Sequence, residues 1–174
     1  QVSSNTSVTP HEHKSHAPKL IGCMVITCSD TRTPDTDTSG QLIQKLLKEQ
    51  GHRVIAYHLV KDEPSKIKAK IKAALTDKKI QAIIINGGTG ISKRDSTFEA
   101  VDTMLEKHLV GFGEIFRYLT YQDIGSPAIM SRATAGIIKG RVLFSTPGSE
   151  NAVRLAMEKL ILPELGHLVK ELSK

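Results

Sequence analysis

The residues most able to do chemistry stand in one short stretch, Asn86-Gly87-Gly88-Thr89-Gly90, followed closely by Lys93, Arg94 and Asp95. Glycines in such a run let backbone N–H groups approach an anion with no Cβ in the way. The two basic side chains add positive charge for phosphate oxygens. The stretch matches neither the G-x-x-x-x-G-K-[ST] nor the G-x-G-x-x-G nucleotide pattern. Spacing alone leaves a phosphate cradle and a merely tight turn both open. A second carboxylate, Asp62, follows another apolar run. Paired with Asp95 beside a phosphate loop it would suit Mg²⁺, which takes one or two carboxylates together with phosphate oxygens. Each acid also has a structural reading: Asp62 or Glu63 as a helix cap, Asp95 as part of the turn before Ser96.

Other candidates have weaker patterns. Ser29 and Asp30 follow the first apolar run and could touch a ligand, whereas at least one of Asp30, Asp35 and Asp37 should serve as a turn residue or cap. Thr146-Pro147-Gly148-Ser149 would present free N–H groups at a helix start, though many helices begin this way for capping alone. Glu114, Arg117 and the run Ser131-Arg132-Ala133-Thr134 divide evenly between ligand contact and plain solvent exposure.

The elements that must position these residues are legible from periodicity. Leu20–Thr27 is a near-continuous apolar run of strand length, as expected for a strand covered on both faces. Leu42, Ile43, Leu46 and Leu47 have helical spacing over 39–50, with Gly51 as the stop. A strand over Arg53–Val60 leads to a helix with Pro64 in its first turn and Ile67, Ile71, Ala74 and Leu75 inward. A third strand, Ile80–Ile85, ends at the glycine run. Ser96 and Glu99 read as a capping box for a helix burying Phe98, Val101, Met104 and Leu105. A helix over about 113–122 should turn Ile115, Phe116 and Leu119 inward. Residues 136–145 read as a hairpin. Ser149 would cap a helix with Val153, Leu155, Ala156 and Leu160 inward, and Pro163 allows a short final helix.

Strands alternating with helices predict an α/β fold with a mainly parallel sheet. In such a sheet the loops leaving the strand carboxyl ends share one rim, where ligands bind. Residues 29–38, 61–64, 86–95 and 146–149 are those loops, and they contain most of the candidates above.

Composition narrows the classes. With 174 residues, 39% hydrophobic and 24% charged, the chain suits one globular domain. No apolar run reaches the roughly 18–20 residues that span a bilayer. Residues 1–18 lack apolar periodicity and the order of a secretory signal. They are expected to form a flexible tail, with 19–174 as the domain and a cytoplasmic location. His11, His13 and His16 are read as a stray cluster rather than a metal site. Cys23 and Cys28 are five apart and fall on opposite faces of a strand, so they should be buried free thiols. The net charge of +6 is spread along helical faces without interleaved aromatics. That speaks against nucleic acid and fits a field attracting phosphorylated ligands.

Six segments taken in order resemble the MoaB/MogA family, which includes the gephyrin G domain: TCSDTRTPDTDTSG (27–40), LVKDEP (59–64), INGGTGISKRDSTFEAV (85–101), GFGEIFR (111–117), SRATAGI (131–137) and STPGSENAV (145–153). The SRATAGI segment is closer to the MoaB branch. The resemblance covers about 19–174 and implies a three-layer α/β/α sandwich assembling as trimers or as hexamers of two stacked trimers. It implies Mg²⁺-dependent adenylylation of molybdopterin by ATP with release of pyrophosphate, and possible hand-over to a metal-insertion protein. By the same resemblance Asp62 and Asp95 are the catalytic acids and metal ligands. Ser29, Asp30, Gly87, Gly88, Thr89, Gly90, Glu114 and Ser131 bind molybdopterin or phosphate, and Pro147, Gly148 and Ser149 lie near the nucleotide. The family often continues that last turn with Pro or another small residue. Here Glu150-Asn151 follows, which places a carboxylate near the expected nucleotide contacts. A carrier of molybdopterin with the same fold and no transferase activity is the alternative function.

Overall fold

The computed structural model describes residues 20–174; the expected tail and its histidines lie outside the described residues. The elements follow in the order β1 (Gly22–Cys28), α1 (Thr38–Glu49), β2 (Arg53–Val60), α2 (Pro64–Leu75), β3 (Ala82–Asn86), α3 (Thr97–Asp102), β4 (Lys107–His108), α4 (Val110–Ile124), β5 (Thr134–Ile138), β6 (Arg141–Thr146), α5 (Glu150–Ala156) and α6 (Leu162–Leu172). A 3₁₀ turn, Ser126–Met130, follows α4, and a π turn, Met157–Ile161, joins α5 to α6 without a break. Pro163 follows the π turn directly, so the helix continues through it although it cannot donate a backbone hydrogen bond.

The six strands form one sheet in the order β2-β1-β3-β6-β5-β4. Strands β2, β1, β3 and β6 are parallel neighbours, while β5 and β4 complete the sheet antiparallel. The period of two along each strand divides its side chains between two cores. Cys23, Val25, Ala82, Ile84, Val142 and Phe144 join α1, α4, α5 and α6 on one face. Met24, Ile26, Ile83, Ile85 and Leu143 join α2 and α3 on the other. This is a three-layer α/β/α sandwich. Cys23 and Cys28 are free and buried, one in each core.

Local expectations fail in α3 and α4, and Phe98, expected inward, joins neither core. The hydroxyl of Ser96 makes no cap bond to α3 but donates to Asp62 Oδ1 at 2.7 Å, and Glu99 pairs instead with Arg132. A hydrogen bond to a carboxylate is worth more than one to a helix amide, so the tertiary partner wins. Helix α4 begins earlier than expected and turns Phe112, Gly113 and Phe116 inward; Ile115 is half exposed at its flank.

Candidate active site at the carboxyl rim of the sheet

Because β1, β2, β3 and β6 run parallel, the loops after them meet along one rim. Their contacts are direct. Gly87 N–H donates to Thr146 O at 2.9 Å, and Ser39 Oγ–H donates to Gly148 O at 2.6 Å. The glycine loop and the Pro147-Gly148-Ser149 turn therefore lie against each other. Asn86 ties the base of the loop to β1, its Nδ2 donating to Thr27 Oγ1 at 2.9 Å.

Gly87 and Gly88 have φ values of +96° and +73°, which side-chain-bearing residues rarely adopt. The two acids back this turn. A Cβ on Gly88 would lie 2.6 and 2.9 Å from the oxygens of Asp62, and one on Gly90 would lie 2.7 Å from Asp95 Oδ2. The carboxylates thus stand behind two loop positions only two residues apart. Asp62 is 6% exposed, and its Oδ1 accepts from both the backbone N–H and the hydroxyl of Ser96. Asp95 uses Oδ2 to accept from the backbone and hydroxyl of Ser92, leaving Oδ1 without a protein donor among the described residues. One oxygen thus fixes the turn, and the side chain borders the cavity.

The cavity beside the loop measures about 310 Å³. Gly88, Thr89, Gly90, Asp95, Ser131 and the turn Pro147-Gly148-Ser149 form its polar end. Phe116, Thr120, Ile124 and Met130 form an apolar wall. None of the N–H groups of Gly88, Thr89, Gly90 and Ile91 donates to a protein acceptor among the described residues. Neither Glu150 nor Asn151 lines the cavity. Glu150 opens α5, where the helix dipole favours a carboxylate, and Ser149 caps that helix by accepting from Ala152 N–H at 3.2 Å.

The remaining candidates stand apart from the cavity. Ser29 accepts from the N–H groups of Thr31 and Arg32 and shapes its own turn. Asp30 accepts from Asp62 N–H and takes both Arg94 Nε and Nη2 at 2.8 Å, so Arg94, expected to meet phosphate, is committed to a carboxylate. Glu114 is exposed on α4 and lines no part of the cavity. Asp37 is fully buried, caps α1 through Gly40 N–H, and accepts from the Tyr57 hydroxyl at 2.5 Å. Burial first, and then the Asp37 carboxylate, raises the Tyr57 phenol well above its usual range and keeps it the donor.

The Asp30–Arg94 pair gives a pH prediction. The Arg94 hydrogen bonds lower the Asp30 carboxyl to about 2. A depressed carboxylate stabilises fully above its unfolded value, near 4, and loses that contribution as pH falls through about 2. The difference in thermal midpoint between the wild type and Asp30→Asn should be constant above pH 5 and shrink between pH 4 and 2. It should also be small and salt-sensitive, because the pair is exposed.

The family model described as a probable molybdopterin binding domain matches residues 24–167. Molybdenum cofactor biosynthesis protein B of Bacillus subtilis (strain 168) is 54% identical over 164 residues, covering 94% of this chain and 96% of the relative. The chain belongs to the MoaB/MogA family. A crystal structure of a molybdenum cofactor biosynthesis protein B, 54% identical, superposes with a TM-score of 0.87 over 90% of this chain and 98% of that one. The tungsten cofactor synthesizing protein MoaB from Pyrococcus furiosus is 36% identical, with a TM-score of 0.81 over 91% of this chain and 100% of its own. A MogA structure at 22% identity shares the fold, with a TM-score of 0.79.

Among MoaB/MogA segments, SRATAGI contains the residue that sequence reasoning left undecided. Arg132 donates to the backbone of the glycine loop, with Nε 2.9 Å from Gly90 O and Nη2 3.0 Å from Asp95 O. Nothing in its local spacing signals this. The only sequence clue was its membership of a segment shared with the family. Among the described residues, no helix is long and apolar enough to cross a membrane.

Proposed function

We propose that this MoaB/MogA member acts in molybdenum cofactor biosynthesis by transferring the adenylyl group of ATP to the terminal phosphate of molybdopterin, releasing pyrophosphate. The observation that carries this reading is the run of four unbonded N–H groups over 88–91, backed by two carboxylates. Such a run is a nest for phosphate oxygens, and the adjacent apolar wall suits the ring system attached to them.

Among the described residues no three His, Cys, Asp or Glu side chains come together as a metal cage. Mg²⁺ needs none, since it completes its shell with waters and phosphate oxygens. The free Oδ1 of Asp95 fits that role, and Asp62 Oδ2, behind Gly88, would be the second donor. Mg²⁺ held there would offset the charge of the triphosphate.

The chain's own residues then have a limited task. The nucleophile is a phosphate oxygen, already anionic, so no strong general base is required. The difficulty is bringing two polyanions together in line. The N–H groups of the glycine loop and those of Gly148 and Ser149 orient one phosphate chain each, and Ser131 borders both the loop and the apolar wall.

Pyrophosphate should be released only when molybdopterin, ATP and Mg²⁺ are all supplied. Tight molybdopterin retention with no release under those conditions would establish a carrier instead.

A homo-oligomer is part of the proposal. Val110, Ile115, Tyr118, Tyr121 and Ile124 leave α4 with a broad exposed apolar face, continued by Ile129 at 83% exposure. Faces of this kind are interaction surfaces. Sedimentation should give a trimer or hexamer, and Tyr118→Glu should shift it towards the monomer.

A further inference from the structure

The loop that bears the candidate chemistry belongs to no strand or helix between β3 and α3, so its shape must come from elsewhere. Asp62 holds its far end through Ser96. Arg132 holds the rest. Its backbone N–H donates to Thr89 O at 3.1 Å, and its guanidinium reaches Gly90 O and Asp95 O. The guanidinium is itself fixed by the Glu99 carboxylate and lies 5.3 Å from the centroid of the Phe98 ring.

The direction of these bonds matters. In a trans peptide the N–H points opposite to the C=O. With the carbonyls of Thr89 and Gly90 drawn to Arg132, the N–H groups of Gly90 and Ile91 point away from it and stay unbonded. The peptide joining Asp95 to Ser96 is held at both ends, its C=O by Arg132 and its N–H by Asp62 Oδ1. That peptide carries the Asp95 side chain.

We propose that Arg132 is a positioning residue for the reaction: a latch that turns the loop amides outward and fixes Asp95, without itself touching substrate. The inference rests on the adenylyl-transfer reading for its kinetic consequences and on geometry alone for its structural ones. The latch is a bidentate fork on backbone carbonyls, so its charge alone does not replace it.

Three variants, Arg132→Ala, Arg132→Lys and Glu99→Gln, test this by amide hydrogen exchange and by pyrophosphate release against Mg²⁺ concentration. Arg132→Ala should lower kcat by about 30- to 100-fold, the scale of a misplacement near 1 Å. It should raise the half-saturating Mg²⁺ concentration about tenfold and speed exchange at the Ser96 amide, with β1 and β3 amides unchanged. Arg132→Lys should recover less than about a tenth of the lost rate. Glu99→Gln should stay within about threefold of wild type, because the bonds to Gly90 O and Asp95 O persist. Unchanged exchange at Ser96 in Arg132→Ala overturns the latch. So does a loss of protection spread evenly over the sheet, or full rescue by Lys. Should the wild type release no pyrophosphate, the transferase reading falls, and exchange at Ser96 alone decides the latch.

Discussion

Asp95→Asn is expected to reduce pyrophosphate release by about 10²- to 10³-fold while leaving the fold intact, a loss of the size seen when a pre-aimed electrostatic group is removed. The amide oxygen of Asn can still accept from the backbone and hydroxyl of Ser92, so the turn survives. The loss is confined to the negative charge and to the free oxygen, where an NH₂ group that cannot bind a cation now stands. Asp62→Asn should have a comparable effect on rate for a related reason. Its oxygen keeps both bonds from Ser96, but its Nδ2 replaces the carboxylate oxygen beside Gly88. Because Asp62 is buried, this variant should also lose about 1–2 kcal/mol of stability. Both variants should still retain molybdopterin, measured by its absorbance after gel filtration. Near-normal adenylylation by either would sink the assignment of metal-binding carboxylates.

Gly88→Ala should be strongly damaging to the fold of the site. The position has φ +73°, and the added Cβ would collide with Thr97 Oγ1 and come within 2.6 Å of Asp62 Oδ2. Thr97 cannot retreat freely, since its hydroxyl donates to Gly87 O at 2.8 Å and its N–H to Gly88 O at 3.1 Å. The backbone conformation alone costs about 1–2 kcal/mol for an L-residue, and the contacts raise the total to about 3 kcal/mol. For a domain of this size that corresponds to a fall of about 6–12 °C in Tm. Gly51→Ala isolates the first contribution: Gly51 has φ +85° and nothing within 4 Å of an added Cβ. Denaturant melts of the two variants should differ by about 1–2 kcal/mol. Equal losses would mean that Thr97 and Asp62 do not confine the loop.

The sequence by itself determined the layers and the rim. Continuous apolar runs in β1, β3 and β6 and period-3.6 burial in α1 and α2 are local properties of each chain segment, so they could be read without coordinates. The expected direction of the parallel strands then put the loops at 29–38, 61–64, 86–95 and 146–149 on one side. What only the tertiary structure decided was which side chain in those loops meets which. Ser96 looked like a helix cap and serves Asp62, 34 residues away in sequence. Arg94 looked like a phosphate ligand and is paired with Asp30, 64 residues away. Arg132 stood evenly between ligand contact and solvent exposure and instead grips Gly90, 42 residues away. A polar side chain within reach of several partners takes the one that best satisfies its charge and donors. That choice depends on how distant segments cross, and local spacing carries no record of the crossing.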